Sequence, residues 1–483
     1  MKHILCFSGG KDSTAMLIHL LETNQPIDEI LYVDVGNWIW KSAQKHIQQV
    51  EETLNVKITQ LDVREEIRKG FERYGFPSFF NRWCTGVKRD AMRDYLRNKY
   101  ERERERESNG TNSTKTFNPL WISIKFPVCN VPFNMDAYRH CSFDCIYCYS
   151  KNRGIIDTSK INDKPNIKWM KNKLKKVFDE KNPNPNNFID MLLKNNITIK
   201  GGVTSDCFQP REESDLYTKK IVEILNDYNR TILFNTKADT VYDVPINPKL
   251  HSFQLSVSNV NDLKEFEPNV PAIKNRIEFY DELKSQGFKV NIRIQPLIPN
   301  VSDFKIMEAF KDADHYSLGC IYLQHRNSDA VEKVLDVTGL TLQDFNTTGS
   351  MRIKPEIREH YYQKFGNYLD EIGVTWNVSD PYMHRGTDAC CCGDKVVPHP
   401  LPFSNMTLIK KYGWNYTLDN VYDELGDFAD CRCDSMFTSN RREGLQTVKE
   451  YYERRFDRQS SPFSPKHTLK PVKTEKTLQS KLM

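Results

Sequence analysis

The 483-residue sequence predicts an α/β protein built from two modules, a short N-terminal parallel sheet followed by a partial (β/α)6 barrel. Three observations predict it. Apolar strand-like runs alternate with helix-spaced segments through the first hundred residues, the pattern breaks over "KYERERERESNGTNSTKT" (99–116), and it then resumes on a longer beat.

In chain order, "HILCF" reads as a strand, "DSTAMLIHLLET" as a helix, "IDEILYVDVG" as a strand, "KSAQKHIQQVEETLN" as a helix and "KITQLDV" as a strand. Such a βαβαβ run requires parallel pairing with right-handed crossovers. The break at 99–116 trades apolar periodicity for charge and then Ser, Asn, Gly and Thr, which marks a domain boundary. Beyond it, "WISIKFPV", "ITIKGGV", "TILFNTKA", "SFQLSVS", "FKVNIRIQPLI" and "HYSLGCIYL" read as six strands, separated by amphipathic segments such as "LYTKKIVEILNDY" and "IKNRIEFYDELKSQG". The Asn- and Lys-rich "KKVFDEKNPNPNNF" reads as a loop in the first crossover. The expected organisation is a nucleotide-binding module over 1–100, a linker over 101–116, the barrel over 117–385, a Cys-rich extension over 386–458 and a basic flexible tail over 459–483.

Composition narrows the classes. Charged residues make up 28% and the formal net charge is +5, which permits a polyanionic partner without requiring one. The apolar runs fall short of the ~20 residues that cross a bilayer, and "MKHILCFSGG" carries no signal-peptide pattern, so a cytoplasmic protein without membrane partners is expected. Thirteen unevenly spread cysteines in a reducing compartment direct attention to metal rather than disulfides.

"CSFDCIYCYS" places Cys141, Cys145 and Cys148 in the loop after the first strand of the second module, where barrels of this kind put their chemistry. Intervals of four and three residues let one loop fold three thiolates around a cubic cluster and leave its fourth iron without a protein ligand, free for substrate or cofactor. A zinc knuckle with His140 as fourth ligand is the competing reading. The Cys-x3-Cys-x2-Cys spacing, with Tyr147 before the last cysteine, resembles the radical S-adenosylmethionine superfamily. The resemblance implies a [4Fe-4S] cluster whose open iron chelates S-adenosylmethionine and whose electron cleaves it to a 5'-deoxyadenosyl radical, supplied by an external donor such as flavodoxin or ferredoxin.

The order of "KGGVTSDCFQPRE", "NTKAD", "LSVSN" and "RIEFYDELKSQGFKVNIRIQPLIPN" is similar to the spore photoproduct lyase-like branch of that superfamily. It implies that Gly201 and Gly202 form the turn that meets the methionine amino group, with Val203 where the family has an acid. It also implies that Asn235, Lys237, Ser256, Ser258 and the catalytic candidate Arg293 face cofactor or substrate from successive strand ends. Near the C-terminus, two cysteines of "DACCCGD", Cys390 and Cys392 among Cys390 to Cys392, together with Cys431 and Cys433 of "ADCRCDS", are expected to form a four-sulfur auxiliary site for an iron-sulfur cluster or zinc. Reduced packing thiols are the alternative.

"SGGKDS" lies between the first strand and the first helix, so glycine amides and a helix N-terminus form an anion nest. The spacing is not that of a Walker A loop. It resembles the PP-loop of the adenine nucleotide alpha-hydrolase fold, and "YVDVGNW" with "GFPSFFNRWCTGVKRDAM" resembles its phosphoadenosine phosphosulfate reductase branch. By that resemblance Ser8, Gly9, Gly10, Lys11, Asp12 and Ser13 cradle the phosphates of ATP or another adenine nucleotide with magnesium, Lys11 and Asp12 being catalytic candidates. Asp34 then lies near the nucleotide, and Arg82 and Lys88 supply positive charge. Cys84 is single and lacks the partner cysteines of that branch.

The combined expectation is a radical S-adenosylmethionine enzyme coupled to a nucleotide-binding PP-loop module and acting on a nucleic acid base or nucleotide. The alternatives are a sulfonucleotide enzyme of sulfur metabolism and a non-catalytic nucleotide-sensing or nucleic-acid-binding iron-sulfur protein.

Overall fold

The computed structural model describes residues 3–35, 41–74, 87–89, 91–92, 95–96, 116–123, 126, 128–152, 164–179, 186–323, 329–346, 351–380, 386–387, 390–413, 415–433 and 445–457. Arg82, Cys84, the basic tail over 459–483 and most of the expected linker lie outside them. The chain divides into two compact units, Met1–Ser113 and Thr114–Met483.

In the first unit, β1 (Ile4–Cys6), β2 (Glu29–Asp34) and β3 (Ile58–Asp62) pair in parallel in that order. They are joined by α1 (Lys11–Glu22) and α2 (Lys41–Leu54), and α3 (Arg64–Tyr74) follows β3. The central strand is buried along nearly its whole length, as a parallel strand covered on both faces must be. Phe7, Leu17, Ile30, Tyr32, Ile47, Val50 and Ile58 form one core, and Val33, Val35, Val63 and Ile67 a second.

The second unit is organised by an eight-stranded sheet. Its strands are β5 (Leu120–Ile122), β6 (Phe133–Met135), β8 (Ile199–Gly201), β9 (Ile232–Thr236), β10 (His251–Ser256), β11 (Lys289–Leu297), β12 (His315–Cys320) and β16 (Trp376–Val378). From β6 to β16 every neighbour is parallel and strand order follows chain order, so the winding never reverses. That is the winding of a barrel rather than of a doubly wound sheet, and the sheet stays open. A short pair, β4 (Thr116–Phe117) with β7 (Lys164–Pro165), and an antiparallel trio, β13 (Tyr322–Leu323), β14 (Phe345–Asn346) and β15 (Met351–Ile353), complete the strands among the described residues.

Two expectations are corrected. "WISIKFPV" is not the first barrel strand: among its described residues Trp121 and Ile122 are extended, in the antiparallel edge β5, and Phe126 N donates to Ser123 O at 3.0 Å in a turn. The strand that leads into the cysteine loop is β6, and β16 adds a seventh parallel strand where six were expected.

The parallel strands alternate in kind. Phe133, Phe234, Phe253, Leu255, Ile292 and Leu318 share a core with Leu174, Ile221, Leu225, Phe279 and Leu283 of the covering helices. In register on the other face stand Asn134 and Lys200, Asn235 and Gln254, Ser256 and Arg293, and Asn291 and His315. A parallel sheet would normally be apolar on both faces. Here one face is kept polar, which makes the interior of the open barrel a place for polar ligands.

Candidate functional site

Gly9 adopts φ +74 in the turn between β1 and α1, a backbone region that glycine enters without a Cβ penalty. Ser8 Oγ and Ser13 Oγ lie 3.0 Å apart, and Ser13 Oγ and Thr14 Oγ1 each donate to Gly10 O at 3.0 Å. Gly10 caps α1 without a side-chain hydrogen bond. The first helical amides are therefore left without a side-chain cap, beside the exposed Lys11 and Asp12, an arrangement that suits an anion. Asp34 is half-buried at the end of β2, and Lys88 is exposed.

In the second unit the Cys141–Cys145–Cys148 loop leaves the carboxyl end of β6. Three neighbours from distant loops hold it. The fully buried Gln209 accepts from Ser142 N at 2.8 Å and Ser142 Oγ at 2.9 Å, while its amide nitrogen donates to His140 O at 2.8 Å and Asp206 O at 3.2 Å. Asn269 donates to Ser142 O at 2.9 Å, and Ile146 N to Phe266 O at 3.0 Å. Asp144 takes the left-handed conformation (φ 52) inside the loop. Cys145 is buried, and Cys141 and Cys148 are half-buried. Burial pushes the Cys145 thiol up to about 12, and burial with Asp206 raises Cys141. Both shifts favour the protonated thiol, so binding a metal would displace those protons. Three soft donors on one loop fit an iron-sulfur cluster.

The β8 turn packs beside this loop. Asp136 Oδ1 accepts from Val203 N at 3.0 Å and Thr204 N at 2.8 Å, and burial raises its carboxyl. Gly202 adopts φ +77, and a Cβ there would stand 2.3 Å from Asn235 O. Asn235 in turn donates to Gly202 O at 3.2 Å and takes a 3.4 Å contact from Ser256 Oγ.

Lys237 and Ser258, expected to face cofactor or substrate, are engaged within the protein. Lys237 Nζ and Ser258 Oγ reach Glu267 Oε1 at 2.8 and 3.1 Å, and Tyr147 OH donates to the same oxygen. Burial alone would raise Glu267, but Lys237 and Arg276 hold it below the ordinary carboxylate range. Tyr147, whose hydroxyl burial pushes far up, is thereby pinned between the cysteines. Arg293 stands on the polar face, 3.5 Å from Gln254 Oε1.

The residues that sequence reasoning did not single out are Asp136, Asp206, Gln209 and Glu267. Asp206 and Gln209 lie inside the quoted "KGGVTSDCFQPRE", so the signal was present without a role. Glu267 gave none.

The C-terminal cysteines separate. The sulfurs of Cys390, Cys391 and Cys392 lie within 4.8 Å of one another, the only such group among the described residues. Cys431 and Cys433 do not join it. Their sulfurs point to Asp427 O at 3.6 Å and Thr447 O at 3.0 Å, and they pack in the main core rather than with Val131, Leu233, Val396 and Val397. The neighbouring Cys390 and Cys392 thiols, with Lys200 and Arg293 close by, hold Cys391 well below the ordinary thiol range despite burial.

Residues 2–111 match the family model of the phosphoadenosine phosphosulfate reductase domain. Over 99 residues the chain is 28% identical to "Uncharacterized protein MJ0066" of Methanocaldococcus jannaschii, which covers 20% of each chain, so it spans about a fifth of the length of that curated relative. Among solved structures, it is similar to a spore photoproduct lyase variant with bound AdoMet and dinucleoside spore photoproduct (14% identity, TM-score 0.38, covering 73% of this chain and 98% of that one). It is also similar to Streptococcus suis SuiB bound to S-adenosylmethionine (10% identity, TM-score 0.30, covering 69% of this chain and 62% of that one). The chain thus joins a region that matches the phosphoadenosine phosphosulfate reductase domain model to a second unit built on a mostly parallel eight-stranded sheet. No helix among the described residues is long and apolar enough to cross a membrane.

Proposed function

We propose that this protein is a radical S-adenosylmethionine enzyme coupled to an adenine-nucleotide-binding PP-loop module. The observation that carries the reading is the Cys-x3-Cys-x2-Cys loop at the carboxyl end of β6, clamped by Gln209 and bordered by the Gly201–Gly202 turn. Cys141, Cys145 and Cys148 would hold a [4Fe-4S] cluster, which when bound supplies one electron to S-adenosylmethionine and so a 5'-deoxyadenosyl radical. Gly201 and Gly202 would admit the methionine end. The Lys237–Glu267–Tyr147 set fixes the wall of the loop, and Asn235, Ser256 and Arg293 offer polar groups toward the barrel interior, to which a nucleotide or nucleic acid base is suited.

In the first unit, Ser8 to Ser13 would bind the phosphates of ATP with magnesium, Lys11 neutralising charge. An external flavodoxin or ferredoxin would deliver the electron. Anaerobic reconstitution with iron and sulfide, then reductant and S-adenosylmethionine, should give 5'-deoxyadenosine, and Cys145→Ala should abolish it. A fully loaded protein that forms none would refute the reading.

A second reading follows from the match of residues 2–111, that the nucleotide is a sulfonucleotide. Release of AMP and pyrophosphate from ATP supports the first reading, whereas tight binding of phosphoadenosine phosphosulfate without ATP turnover supports the second.

A further inference from the structure

We propose that Cys390, Cys391 and Cys392 bind one thiophilic divalent ion, zinc, at the end of the barrel opposite the Cys141–Cys145–Cys148 loop. The site stands independently of the radical reading. Its place is defined by contacts to residues that precede or begin strands: Asn291 Nδ2 donates to Cys391 O at 3.1 Å and Cys392 O at 2.9 Å, and Cys390 Sγ donates to Asn130 Oδ1. The cluster-type loop instead meets residues that follow strands, such as Gln209 and Phe266.

Tight folding brings three consecutive sulfurs together. Gly393 N donates to Cys390 O at 3.0 Å, and Cys392 N donates to Cys390 Sγ at 3.3 Å. Gly393 has φ +81, and a Cβ there would lie 2.6 Å from His315 Cγ, so the turn closes against the strand only with glycine. Thiolates on one tetrahedral zinc, with Zn–S of ~2.3 Å, stand about 3.8 Å apart. The observed separations, all within 4.8 Å, need a contraction of at most about 1 Å to reach it. Thiolates on different irons of a cluster stand farther apart than those sharing one ion, which consecutive residues of a tight turn do not suit.

Charge agrees with a single ion. Three thiolates and one divalent cation sum to −1, and Lys200 Nζ lies 3.8 Å from Cys392 Sγ. On loading, the thiol protons pass to solvent and three S–Zn bonds form, with no redox change. Asn130 Oδ1 is an oxygen suited to the fourth position. The ion would fasten the returning chain, which also bonds through Thr198 N to His399 O at 2.8 Å and Leu401 N to Asn130 O at 2.7 Å, across the start of the barrel.

The test is elemental analysis of the full-length protein purified without oxygen. About one zinc per chain is expected in the natural sequence. It should fall at least tenfold in Cys390→Ser/Cys392→Ser and persist in Cys431→Ser/Cys433→Ser, with iron the same in all three. Zinc absent from the natural protein, or zinc retained without Cys390 and Cys392, overturns the proposal, as does a disulfide among the three cysteines found by mass spectrometry. Because loss of the fold would also release zinc from the variant, cobalt substitution in the natural protein serves as a second reading: intense sulfur-to-cobalt charge transfer with tetrahedral visible bands supports the site, and weak octahedral bands refute it.

Discussion

Lys237 Nζ lies 2.8 Å from Glu267 Oε1, with the two side chains only 13% and 7% exposed. Glu267 also receives Ser258 Oγ and Tyr147 OH, so this one carboxylate ties the ends of β9 and β10 to the cysteine loop.

Breaking that pair from one side leaves a charge buried without its partner, which costs about 3–5 kcal/mol. Lys237→Met and Glu267→Gln should each lower the urea midpoint of the second unit sharply. The double variant should recover part of the loss, since both charges are then gone. A double variant as unstable as the sum of the singles would show that the pair is not what matters.

Gln209 positions the cysteine loop through its bonds to Ser142 and His140. Gln209→Met keeps the volume but leaves Ser142 N and His140 O without their partner, at about 1–3 kcal/mol for each unsatisfied group. Iron content after anaerobic reconstitution should drop with it. Gln209→Glu, which retains the acceptor for Ser142, should keep more iron than the methionine variant, a ranking that general destabilisation alone would not produce.

Gly202 and Gly373 both have positive φ, but a Cβ at Gly202 would stand 2.3 Å from Asn235 O, while nothing lies within 4 Å at Gly373. Gly373→Ala should cost only the left-handed backbone term, about 1–2 kcal/mol. Gly202→Ala should cost clearly more and weaken S-adenosylmethionine binding, measured by calorimetry. Equal effects on binding would remove the β8 turn from the site.

How much of this was legible follows from range. Cys141, Cys145 and Cys148 are close in sequence, so their spacing announced them, as did the Ser8–Ser13 turn after an apolar run. The strands β9 to β12 were long enough for period-two alternation to show. β6 and β16, at three residues each, were not, and their extended state comes from pairing with β8 and β12. Glu267 stands 120 residues from Tyr147, and Gln209 stands 67 from Ser142, so folding alone brings them to the loop. The same limit explains Cys431 and Cys433: the number of sulfurs suggested a site shared with Cys390 and Cys392, but the CxC pair is held in the main core by backbone bonds to Phe428 O, Gln446 O and from Val448 N.

His251 gives the pH prediction. It begins β10, is 2% exposed, accepts from Asn247 N at 2.9 Å through Nδ1, and meets Phe234 edge-on at 5.5 Å. Burial depresses its folded-state value from 6.5 to about 4, so the folded protein keeps it neutral while the unfolded chain takes a proton. Its contribution to stability is therefore complete above pH ~6.5 and is lost as pH falls toward 4, at up to about 1.4 kcal/mol per pH unit. His251→Gln keeps an acceptor for Asn247 and cannot titrate. Urea unfolding between pH 7 and pH 5 should show a smaller loss of stability in this variant, by on the order of 1 kcal/mol per pH unit. Parallel slopes for the two proteins would mean that His251 is charged, or solvated, in the folded state.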